Sequence, residues 1–145
     1  MSEVNEEDIA LFAPLCQFAW MQGEPLPLIY EPEHEVYTRH GINLQSLQRL
    51  EASGLILLEP AGYVKRKFGR HTRLFYFGRI TKIQFPLETG NALDIGHVLM
   101  TNKGKAVAAQ VGSKVAPNQQ FYEYVIKKWF QQGMVISTVV KDPIS

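Results

Sequence analysis

Between residues 60 and 87 the chain holds no Asp or Glu, yet carries seven bases: Lys65, Arg66, Lys67, Arg70, Arg73, Arg79 and Lys82. Cations at that density neutralise phosphates and release counterions, which gives a salt-sensitive and weakly sequence-selective affinity for a polyanion. Aromatic residues interleave with them: Tyr63, Phe68, Phe75, Tyr76 and Phe77. Rings between cations stack on the bases of single strands; the same pattern also serves a hairpin whose inner face packs on a helix. Phe75 and Phe77 share a strand face and are assigned to packing, whereas Tyr63, Phe68 and Tyr76 stay open between the two roles. The first 35 residues have the opposite character, with eight acids and no Lys or Arg. A net charge of only +1 therefore conceals a polarised chain.

Other chemistry finds little support. The four histidines, His34, His40, His71 and His97, do not stand at metal-ligand spacing. Glu31, Glu33 and Glu35 would share one side of a strand, but no apolar surroundings are at hand to shift their pKa values, so a solvated turn is the better reading. Gly62, Gly69 and Gly78 lack phosphate-loop spacing. Cys16 lies on an apolar helical face and reads as an inert core thiol. No catalytic residue, metal or cofactor is expected.

These residues need a scaffold, and 145 residues with 46% apolar and 20% charged side chains suffice for one folded domain over 1–145. No apolar run approaches the ~20 residues of a membrane span. The start is acidic where a secretory leader is basic and then apolar, and a single cysteine excludes an internal disulfide. A cytoplasmic protein without a membrane partner is the expectation.

The pattern predicts a first helix from Asn5, interrupted at Pro14 and ended by Gly23, burying Ile9, Phe12, Leu15, Cys16, Ala19 and Trp20. Residues 25–30 read as an extended edge piece, and 31–41 as polar turn. Leu44, Leu47 and Leu50 share one face of a second helix over 43–53, stopped by Gly54. Then come a short strand over 55–58, a turn at Pro60–Gly62, the basic loop 63–73, two strands about a hairpin, and a connector from Pro86 to Asp94. A strand over 97–100 leads to a helix from Asn102 to Val111 capped by Thr101. A last helix covers about 118–132, with Phe121, Val125, Ile126 and Trp129 inward. The tail is β-prone from Val135 and frays beyond Lys141.

Two segments carry a resemblance: Ile42-Asn-Leu-Gln-Ser-Leu-Gln-Arg-Leu-Glu-Ala-Ser-Gly-Leu-Ile56 and Val98-Leu-Met-Thr-Asn-Lys-Gly-Lys-Ala106. The run "Leu-x-x-Leu-x-x-x-Gly-Leu-Ile" followed by "Leu-x-Thr-x-x-Gly" resembles winged-helix regulators of the multiple-antibiotic-resistance type, in which the second motif opens the helix after the wing. From Val4 to about Gly133 the chain also resembles the C-terminal domain of an uncharacterised bacterial family, a domain of unknown function. That likeness adds Asp8, Leu11 and Phe12 at the start, and Tyr122, Tyr124, Trp129, Gln132 and Gly133 at the close. It brings no known catalytic or ligand residues. This chain departs from the winged pattern between Pro32 and Gly41, where no middle helix is evident.

The fold expected is α+β and winged helix-turn-helix-like, with helices on a small antiparallel sheet and a basic β-hairpin wing over Pro60–Phe75. The function expected is a non-enzymatic module whose wing contacts DNA or RNA through Lys65, Arg66, Lys67, Arg70 and Arg73. Gln45, Gln48 and Arg49 on the preceding helix have the chemistry to read base edges. The alternative is a protein-interaction or homodimerising module, in which the acidic first helix meets a second copy's basic wing and no nucleic acid takes part.

Overall fold

Pro14 decides the first element. In the computed structural model, which describes residues 5–138, α1 (Glu6–Phe12) starts where the Asn5 side chain accepts from the Asp8 amide at 2.7 Å. A proline has no amide hydrogen to continue the helical ladder, so the chain tightens into a 3-10 helix, Ala13–Phe18, and then opens into β1 (Ala19–Met21). The helix expected as far as Gly23 thus ends earlier, although Cys16 and Trp20 keep their burial. After Gly23, β2 (Pro25–Pro27) pairs antiparallel with β1 and forms a sheet edge, where prolines leave no ladder hydrogen bond unmade.

The polar stretch that follows is more than a turn. It holds one helical turn, α2 (Glu35–Thr38), whose first amides are capped by His34 Nδ1 accepting from Val36 at 3.0 Å. Next is α3 (Leu44–Ala52), started by a reciprocal cap between Asn43 and Ser46. Its Leu47 and Leu50 are buried, but Leu44 is exposed instead of joining them.

β3 (Ile56–Phe68) is far longer than expected, because it crosses Pro60–Gly62 by register shifts rather than turning there. β4 (His71–Tyr76), β5 (Arg79–Gln84) and β6 (Asn91–Met100) follow, then α4 (Asn102–Val111), a 3-10 turn at Gly112–Lys114, α5 (Gln119–Gln131) and β7 (Val135–Thr138). The fraying expected beyond Lys141 lies outside the described residues.

Five strands form one antiparallel sheet in the order β2-β1-β4-β5-β7, and β3 pairs with β6 in a separate two-stranded ladder. This corrects the hairpin expected over Pro60–Phe75: its two sides, β3 and β4, belong to different sheets. Each strand pairs where its apolar phase finds a match. Leu93, Ile95 and Val98 of β6 are buried beside β3, and Leu74 and Tyr76 of β4 are buried beside Thr81 and Ile83 of β5.

The inner face of the five-stranded sheet packs on α5. Trp20 meets both Tyr76 (5.2 Å) and Tyr122 (5.5 Å), which also lie 5.8 Å from each other, and meets Trp129 edge-on at 4.9 Å. The two sequence motifs also meet. Thr101 Oγ1 donates to the Gly54 carbonyl at 2.6 Å and accepts from the Gly104 amide at 3.0 Å, capping α4. Gly104 lies so close to β3 that a Cβ there would fall 2.0 Å from the Leu55 carbonyl oxygen. The motifs therefore fasten α3, β3, β6 and α4 together. Among the described residues no helix is long and apolar enough to cross a membrane.

Candidate nucleic-acid interface

The basic stretch is the passage from one sheet to the other. Arg66 and Lys67 lie at the far end of β3, Arg70 at the two-residue link Gly69–Arg70, and Arg73 on β4; all four are exposed. Lys67 has φ +67, in the left-handed region that a non-glycine residue rarely occupies, within the register shift between Lys65 and Phe68. Asn91 holds the passage in place. Its buried side chain donates to the carbonyls of Gly69 (3.0 Å) and Leu87 (2.8 Å) and accepts from the Leu87 amide at 3.2 Å. The Phe85 amide donates to the Arg70 carbonyl at 2.7 Å, and Phe68 stacks on Phe85 at 5.3 Å.

Internal pairing sorts the bases. Lys65 is engaged: its Nζ donates to the Gln22 side chain and lies 3.6 Å from Glu24, which Lys105 also meets at 2.8 Å. The Lys105 hydrogen bond leads in holding the Glu24 carboxyl below its ordinary pKa, with Lys65 adding to it. Arg49 is likewise engaged, reaching Glu7 at 3.5 Å and Asp8 at 3.6 Å. Arg79 lies over the Tyr122 ring, 4.4 Å from its centre. Arg66, Lys67, Arg70, Arg73 and Lys82 have no side-chain partner among the described residues. The strand register sets Arg73 directly opposite Lys82, a like-charge pair that raises the energy of the bare hairpin. Lys82 was absent from the site residues chosen by sequence; the hairpin register is the signal that adds it.

The acids are mostly in use within the fold. Besides Glu7, Asp8 and Glu24, Glu35 pairs with Arg39 at 3.3 Å, and Glu33 accepts from the Leu44 amide at 3.3 Å. Glu31 takes Lys128 at 2.7 Å and the Tyr124 hydroxyl, and these hydrogen bonds lower its carboxyl pKa while burial pushes the phenol of Tyr124 up. Gln45 and Gln48 are exposed on α3, at the opposite end of β3 from Arg66 and Lys67, with Glu7, Asp8, Glu33 and Glu51 bound around that helix.

The aromatic assignment is reversed in phase. Phe75 and Phe77, read as packing residues, are 38% and 42% exposed, while Tyr76 between them is buried and donates to the Gln17 carbonyl at 2.6 Å. Alternation was legible, but which parity faces α5 is a tertiary fact. Cys16 is buried, and burial pushes its thiol up to about 11, the state of an unreactive side chain. Among the described residues no three His, Cys, Asp or Glu gather as metal ligands. An open cleft of about 460 Å³ lies between His40, Gln17 and the start of α5. Compared with protein-family models, curated proteins and solved structures, the chain matches none.

Proposed function

We propose that this chain is a non-enzymatic, winged-helix-like module that binds nucleic acid through Arg66, Lys67, Arg70 and Arg73. One observation carries the reading: among the described residues most acids hold a partner within the fold, whereas the cations of the sheet-to-sheet passage are exposed and without a side-chain partner. Polyanion binding neutralises them and relieves their mutual repulsion.

The winged-helix reading draws support from the order α2, α3, β3, β6, α4 and from the Gly54–Thr101 contact that locks it. In this reading the β3–β6 ladder is the wing, and the β4–β5 hairpin is an insertion at its distal end. The wing, not α3, makes the contact. Arg49 is held by Glu7 and Asp8, and a phosphate approaching α3 would meet those carboxylates first.

Fluorescence anisotropy with labelled duplex and single-stranded DNA, at about 50 and 200 mM salt, tests this. Binding should weaken steeply between the two salts and disappear when Arg66, Lys67, Arg70 and Arg73 are all changed to Gln. Lys65→Gln should leave affinity within about twofold, because that amine is already neutralised by Glu24. Absence of binding, with a mass that rises with protein concentration, would favour self-association instead.

A further inference from the structure

We propose that the face of the five-stranded sheet left exposed among the described residues takes single-stranded nucleic acid, with Phe75 as the stacking platform and Arg73 and Lys82 as the phosphate contacts. This rests on the nucleic-acid reading above and names the form of nucleic acid bound. The strand register places Met21, Phe75 and Ile80 side by side across β1, β4 and β5, and Arg73, Lys82 and Ser137 side by side across β4, β5 and β7. Two residues separate the rows along β4, roughly 7 Å, so an apolar step adjoins a basic one. The opposite face of the same strands carries the buried Trp20, Leu74, Tyr76, Thr81 and Ile83. Phe75 therefore gives its ring to solvent on the central strand, with Met21 beside it at 44% exposure.

A second observation lies at the hairpin end. Phe77 and Gly78 both have positive φ, +47 and +80, in the two-residue link between β4 and β5. That geometry favours Asn-Gly, and a bulky residue at the first position is strained. Phe77 is 42% exposed there and sets its ring edge-on to Tyr76 at 4.9 Å, where a polar turn residue would fit more easily. Cations alone would serve a duplex. An exposed ring on the same sheet face as a pair of cations suits bases that are unstacked and available, and stacking of that kind tolerates any sequence.

The test compares a labelled oligothymidylate with a blunt duplex of equal length, using wild type, Phe75→Thr, Phe75→Tyr and Arg73→Gln/Lys82→Gln. The wild type should prefer the single strand. Phe75→Thr should weaken single-strand binding roughly 5- to 150-fold while leaving duplex binding within about twofold. Phe75→Tyr, which keeps a ring, should retain affinity, and the double charge variant should flatten the single-strand salt slope by about 1.4. Thermal melts verify that each variant is folded. Equal effects of Phe75→Thr on both ligands, or none, overturn the sheet-face proposal and leave the basic-passage reading standing. Failure of the wild type to bind either ligand overturns both.

Discussion

Asn91 is a single side chain on which the geometry of the basic passage depends. It is 4% exposed, and its amide ties the end of β3 to the turn before β6. Asn91→Ala leaves those carbonyls without a partner, and a loss of roughly 1–3 kcal/mol is expected. The melting temperature should fall by about 6 °C for 2 kcal/mol, and nucleic-acid affinity should fall with it because Arg66 to Arg73 lose their fixed arrangement. Gly104 is the corresponding position for the fold. A methyl group there collides with the Leu55 carbonyl, which belongs to the backbone and cannot swing aside. Gly104→Ala should cost about 3 kcal/mol or more in urea denaturation. A cost below about 1 kcal/mol would contradict the close approach of α4 to β3. At this scale the sequence signalled where cations lie but not which are engaged. Lys65 and Arg49 look as available as Arg66 and Arg73 until the fold brings Glu24, Glu7 and Asp8 to them.

The helices α3, α4 and α5 were the legible elements. Asn43, Thr101 and Asn118 each accept from an amide three residues on, and the helices they start have the bounds that capping and periodicity predict. Those signals are local. Strand partnership is not: β3 crosses a Pro-Ala-Gly sequence that reads as a turn, and the sides of the expected hairpin go to different sheets because their apolar phases match β6 and β5 separately. The short α2 was hidden for a different reason, since one turn is too brief to show a period. Elements far apart are joined by Glu24, between β3 and α4, and by Glu31, between the α2 approach and α5. Both carboxyls are held below the ordinary 4.5, chiefly by hydrogen bonds from Lys105 and Lys128. A depressed carboxyl pKa stabilises the fold above the unfolded-state value, and that contribution is lost as pH falls through the folded-state value. The melting temperature should therefore decline on acidification below about pH 4.5, and a Glu24→Gln/Glu31→Gln variant should show a flatter decline. Both groups are partly solvated, so each should account for less than about 1 kcal/mol. A variant profile parallel to the wild type would remove these pairs from the acid response.

At the scale of the fold, in a chain of near-zero net charge, most of the described acids are engaged with partners, while Arg66, Lys67, Arg70 and Arg73 stand exposed at the passage between sheets. That imbalance is what a polyanion would complete. Binding through these cations neutralises a definite number of phosphates, and the salt dependence of affinity measures that number directly. For duplex DNA, log K against log salt should have a slope near −3.6 if Arg66, Lys67, Arg70 and Arg73 each neutralise one phosphate, and near zero in the variant carrying Gln at all four. A wild-type slope that is flat, or one that persists unchanged in the variant, would contradict nucleic-acid binding through these cations.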